Sequence, residues 1–162
     1  MSKNEEKMGF IVIKFFLLLF FLMAFAKSKV HGISSPGSYS DMTVSISLYQ
    51  FIFGMDDIYG HINFNLVMFI GLTAYICHLI ISVLCFSQPS KSLHKMNIIS
   101  LLVSIVGLSP IGIYMGIDTY NSTAYSGYDH TISMTMKPWI LLIALIVFLV
   151  LAYDEYLKYT ED

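Results

Sequence analysis

Arginine is missing from this chain, and its nine basic residues are all lysine. Charged residues of both signs make up only 12% of 162 residues, about half the share typical of a soluble domain. The formal net charge is −2, so no basic field exists to attract nucleic acid. Cysteine is scarce too. Cys77 and Cys85 are the two present, and they share one apolar run. Eight residues on a helix separate them by ~12 Å of rise, too far for a disulfide. With no cysteine in a polar segment, the redox compartment cannot be read. The spaced motifs of chemistry are also missing: no glycine-rich phosphate loop, HExxH, CxxC or GxSxG occurs. The sequence therefore predicts no catalytic residues, no cofactor-binding residues, no metal ligands and no enzyme activity.

Apolar residues are abundant, at 56% of the chain with a mean hydropathy of +0.70. Four runs approach the ~20 residues that cross a bilayer's hydrocarbon: 8–26, 63–86, 96–117 and 138–153. This pattern predicts a membrane all-α fold, a single integral domain over residues 1–162. It would be a bundle of four transmembrane helices carrying a small extracytoplasmic β-sheet. The lipid bilayer is its first partner.

The first run also reads as a cleavable signal peptide, with lysines, an apolar stretch and Ala24-Phe25-Ala26 as a small-x-small site. Glu5 and Glu6 are foreign to a signal peptide's basic region. Including residues 8–13 makes the run long enough to span, with Lys14 snorkelling to the headgroups. Retention as a helix is the reading taken, and cleavage would leave three spans.

Orientation follows the lysines. With the N-terminus inside, Lys3, Lys7, Lys14, Lys91, Lys95 and Lys158 are cytosolic, and Lys27, Lys29 and Lys137 are external. Residues 87–95 then form a cytosolic turn, and both termini lie in the cytosol of a multi-pass plasma-membrane protein. Residues 27–62 and 118–137 are external loops. In the first, Met42, Val44, Ile46 and Leu48 alternate with polar residues after a turn-rich stretch from Gly32 to Gly37. In the second, Ile132, Met134 and Met136 do the same. These two alternating segments predict one strand from each loop, pairing into the sheet, with an open edge for another chain. Asp56, Asp57, His61, Asp118, Asp129 and His130 are scattered over the loops and read as solvated charge. Asn121-Ser122-Thr123 is a glycosylation sequon.

Within the spans, polar and small residues recur at three- and four-residue steps. Gly71, Ala74, Tyr75, His78, Ser82 and Cys85 make one stripe, and Asn97, Ser100, Ser104 and Gly107 another. Lipid tails do not drive helices together, so contact needs small side chains and a few hydrogen bonds. The stripes are expected to face each other, with Gly71, Ala74, Tyr75, His78, Ser82, Asn97, Ser100, Ser104 and Gly107 as the interface. His78 reads either as a proton relay or as a neutral imidazole bonded to a serine or tyrosine across the interface. The second reading is taken, because no aspartate or glutamate shares its depth. Pro110 is expected to kink the third span. The fourth span has no such stripe and is expected to face lipid most.

Two resemblances follow from this layout. A long strand-bearing first loop, a short turn and a shorter second loop resemble the claudin-type tetraspan arrangement. The claudin loop signature of a tryptophan and two cysteines is absent here, so no junctional role follows. The segment Ser47-Leu48-Tyr49-Gln50-Phe51-Ile52-Phe53-Gly54, then a span over residues 64–86 and a lysine-bearing turn, resembles small four-span proteins of Firmicutes-type bacteria. That likeness implies a bacterial plasma membrane and supplies no activity. The function expected is an accessory, interaction or protective membrane component, meeting a protein partner or a second copy through its sheet or its lipid-facing helices. The alternative is a small oligomeric transporter or pore subunit lined by His78, Ser82, Ser100 and Ser104.

Overall fold

The computed structural model describes residues 3–35, 38–56, 61–122 and 128–159. Three of its helices are long and apolar enough to cross a membrane: α3 (Leu66–Ser87), the paired α4 (Lys91–Gly107) and α5 (Pro110–Ser122), and α6 (Lys137–Lys158). This is the make-up of a helical membrane protein, with three long apolar helices in place of the expected four-helix bundle.

Local chemistry sets the helix ends. The Asn65 side chain accepts from the Met68 N–H at 3.0 Å and starts α3. Ser90 accepts from the Leu93 N–H at 3.3 Å and starts α4. Each satisfies a backbone donor that the first helical turn leaves without a partner. The turn between α3 and α4 is thus Gln88 to Ser90, tighter than the expected 87–95 because α4 begins at Lys91. The third apolar run breaks where Pro110 lies: α4 ends at Gly107, and Pro110 opens α5, where its missing N–H costs no helical bond. α5 then runs to Ser122, into residues expected to be loop.

The first run departs most from expectation. Helix α1 (Lys3–Phe16) tightens into a 3-10 segment, Leu17–Leu22, and the chain enters strand β1 (Ala24–Ser35). The residues of the small-x-small site are therefore strand. β1 pairs antiparallel with β2 (Ser38–Ser47) on one side and β5 (Tyr128–Met134) on the other, in the order β2-β1-β5. The two alternating segments do not pair with each other, as the sequence led us to expect. β1, which carries little alternation, lies between them. A register shift between Ala24 and Ala26 puts an extra residue in β1, and Phe25 and Ala26 are both fully buried there.

Leu48 belongs to a helix rather than to the strand, because Ser47 caps it. The Ser47 hydroxyl accepts from the Gln50 N–H, and Gln50 Oε1 accepts from the Ser47 N–H at 2.7 Å, the reciprocal capping box. The resulting α2 (Leu48–Phe53) ends at Gly54, whose φ of 90° and whose approach to the Ile62 carbonyl leave no room for a side chain. A two-residue hairpin, β3 (Met55–Asp56) with β4 (His61–Ile62), leads into α3. The sheet is tied to the start of α6 by Thr135, whose N–H and hydroxyl both donate to the Phe25 carbonyl. Sheet and α3–α4 turn thus lie at opposite ends of the helices.

Candidate functional site: a polar crevice among α1, α3, α4 and α6

Helix α3 buries Gly71, Tyr75, His78, Ser82 and Cys85, with Ala74 half-buried beside them. Helix α4 buries Asn97, Ser100, Ser104 and Gly107. The closest approach is glycine on glycine: a Cβ on Gly71 would lie 2.7 Å from the Gly107 Cα. From that crossing toward the turn end, the buried side chains between the helices become polar: His78, Ser82 and Asn97.

His78 is fully buried, and its Nδ1–H donates to Asn97 Oδ1 at 2.6 Å. The Ser82 hydroxyl donates to the same oxygen at 3.4 Å. The imidazole's partner is therefore an asparagine rather than the serine or tyrosine expected. Its Nε2 is buried and without a hydrogen-bond partner among the described residues. Ser100 and Ser104 do not bridge the helices. Each returns its hydroxyl to a carbonyl of its own helix, Met96 and Asn97 for Ser100 and Ser100 for Ser104. Both hydroxyl protons are thus donated within α4.

Lys14 behaves differently from a snorkelling lysine. The Tyr75 hydroxyl of α3 donates to the Lys14 carbonyl at 2.7 Å and locks α1 against α3. The Lys14 ammonium turns into the helix junction, donates to Ser82 Oγ at 3.1 Å and lies 5.5 Å above the Phe148 ring of α6. Phe148 and Ala152, which flank this position on α6, are about 15 and 9 Å from Lys158 along the helix axis. The charge is held below the end of the helix instead of at it. Length of run and small-residue stripes could not reveal this. The signal was the lone lysine itself, in a segment that otherwise holds only apolar residues from Met8 to Phe25 apart from Gly9.

A crevice of about 240 Å³ opens beside Lys14. Ser82 and Asn97 line its inner end. Asp154, Glu155 and Lys158 line its mouth, and Phe10, Phe86 and Leu151 are exposed apolar walls. Asp154 is paired with Lys158, one helical turn on. His78, fully buried behind Asn97, does not line the crevice.

Elsewhere the polar residues form no second site. His61 Nδ1 lies 3.8 Å from Asp56, and its Nε2 is 2.9 Å from Asn63 Oδ1. Asp118 is exposed at the end of α5, and Asp129 and His130 pair with His31 and Val30 in the sheet. Asp57 and Thr123 of the sequon lie outside the described residues. Among the described residues no three His, Cys, Asp or Glu side chains converge as metal ligands.

No protein-family model matches the chain, and no curated protein matches it. Neither the claudin-like layout nor the bacterial four-span likeness gains a family from these comparisons.

Proposed function

We propose that this protein is a non-enzymatic plasma-membrane component that docks a second chain, another protein or a copy of itself, along the edge of its sheet. The observation that carries this reading is the strand order β2-β1-β5. β1 is paired on both sides, so each outer strand keeps one row of backbone donors and acceptors unpaired among the described residues. Such rows add a strand from another chain readily. Ile46, Ile132 and Met134 pack their side chains on the core while Thr43, Ser45 and Ser133 are exposed, so the sheet has a fixed inner face.

In this reading the first segment is a fourth crossing. The apolar part of this segment, residues 8–22, extends about 26 Å, a little under the roughly 30 Å of hydrocarbon, and residues 23–25 carry the chain on to the sheet. A crossing here puts Lys3, Lys7, Lys91, Lys95 and Lys158 at one end and Lys27, Lys29 and Lys137 at the other. The lysine bias assigns the first end to the cytosol and the sheet to the outside.

Ser45→Cys or Ser133→Cys, oxidised in native membranes, is expected to give a discrete crosslinked product in the protein's own host. Exclusively monomeric chain from both variants, together with a lone monomer in mild detergent, overturns the reading. The second reading is a small oligomeric transporter or pore subunit. It is favoured by the polar group Lys14, Ser82, Asn97 and His78 at one level of the helices. The intrahelical bonds of Ser100 and Ser104, and their absence from the crevice lining, count against a continuous path.

A further inference from the structure

We propose that the crevice beside Lys14 is a binding site for the acidic head of a membrane lipid, with the Lys14 ammonium as its charge partner. Two lysines, Lys14 and Lys158, and two carboxylates, Asp154 and Glu155, line the crevice, and Lys14 is the cation at its buried end. The Lys14 ammonium has three N–H donors and no acceptor, and Ser82 Oγ takes one of them. Among the described residues no carboxylate lies within ion-pairing distance of it. Asn97 is 2% exposed, and its amide oxygen already accepts from His78 and Ser82. Asn97 lines the crevice, and no hydrogen bond to a protein group among the described residues uses its amide nitrogen. The inner end thus offers an ammonium with two N–H donors beyond the one given to Ser82, and no carboxylate lies within 4 Å of it among the described residues. A phosphate oxygen would accept from those donors and bring a negative charge into direct contact with the ammonium. A charge left unpaired at this depth is costly, which is why lysines within a membrane are held by partners.

The acids at the mouth do not cancel this. Asp154 is taken up by Lys158, and Glu155, which acts electrostatically on Lys14, has a further interaction of its own. The walls choose a lipid over a soluble anion. Phe10, Phe86 and Leu151 are exposed apolar side chains bordering the same crevice, so an acyl chain can leave along them while the head stays at Lys14. This inference rests on the membrane crossing of the first segment and not on the sheet or on any protein partner.

The test uses the full chain in nanodiscs of neutral phosphatidylcholine, titrated with phosphatidylglycerol and read by native mass spectrometry. The unaltered protein is expected to retain one phosphatidylglycerol in preference to phosphatidylcholine. Lys14→Gln is expected to lose that preference by roughly tenfold or more, the scale of one charge-assisted hydrogen bond. Asn97→Asp keeps the oxygen that serves His78 and supplies an internal counter-charge, so it is expected to abolish retention in a folded protein. Lys91→Gln, on an exposed lysine of the turn, is expected to change nothing. Inorganic phosphate in place of the lipid is expected not to compete. Equal retention of neutral and acidic lipid, an equal loss in Lys91→Gln and Lys14→Gln, or full competition by phosphate each overturns the proposal.

Discussion

At the residue scale, two contacts decide how α3 meets α4. Gly71 and Gly107 touch backbone to backbone, and a single methyl at Gly71 would fall 2.7 Å from the opposing Cα. Gly71→Ala is therefore expected to push the helices apart and cost about 1–3 kcal/mol, the usual penalty of overpacking. Gly9 on α1 has nothing within 4 Å of its missing Cβ, so Gly9→Ala is expected to be neutral or stabilising by up to about 1 kcal/mol through helix propensity alone. Reversible unfolding in mixed micelles separates the two, and a neutral Gly71→Ala would show that the crossing is looser than drawn. The His78–Asn97 bond is the second contact. A double-mutant cycle with His78→Leu and Asn97→Leu is expected to give a coupling of about 0.6–2 kcal/mol, the range of interhelical hydrogen bonds in membranes. A coupling indistinguishable from zero would mean the imidazole is held by shape only. Residues of both contacts were visible in the sequence because three- and four-residue spacing is a property of any helix. The intrahelical bonds of Ser100 and Ser104 were not, since a serine hydroxyl reaches its own carbonyl four residues back from the same position that would reach a neighbour.

Among the elements, strand β1 carries the sheet. Its backbone is paired with β2 from Ala24 to Ser35 and with β5 from Ala26 to Gly32. The strand was hidden from pattern reading because its inward and outward positions are not told apart by size or polarity: lysines, serines, a glycine and two alanines interrupt any period of two. Its neighbours betray themselves by alternation, and β1 is defined instead by the partners on both sides. Val30 sits at the middle, opposite Met42 and His130. Val30→Pro removes a backbone donor from a doubly paired strand, a position that proline is not found in. The expected outcome is rapid proteolysis within residues 24–47 and 128–134, with helix content by circular dichroism unchanged. Unaltered protection would mean that the sheet is held by its side chains on the core rather than by its ladder. The break between α4 and α5 was legible from Pro110 alone. The capping of α2 by Ser47 was legible in principle from Ser47 and Gln50, and the alternation ending in Leu48 masked it.

For the molecule as a whole, hydropathy reveals three spanning helices directly because each is one uninterrupted helix or a pair joined at a proline. α6 is the least buried of the three, in keeping with its lack of a small-residue stripe. The first segment defeats the same reading because its helix stops at Phe16 and tightens, so apolar length and helical length no longer coincide. What remains to be decided is whether that segment crosses. Tyr75 and Ser82 of α3 hold Lys14 to the bundle, and Phe25 is fixed to Thr135 at the far end of α6. Between Lys14, whose carbonyl is held midway along α3, and Phe25 at the sheet end, the segment runs along about half the length of the helices. Single-cysteine labelling of intact cells with a membrane-impermeant maleimide reads this out. Lys27→Cys, exposed beside the sheet, is expected to label at once, and Asn4→Cys and Lys91→Cys only after permeabilisation. Labelling of Asn4→Cys in intact cells alongside Lys27→Cys would leave three crossings, and it would remove Lys14 from the membrane depth on which the proposed acidic-lipid site rests.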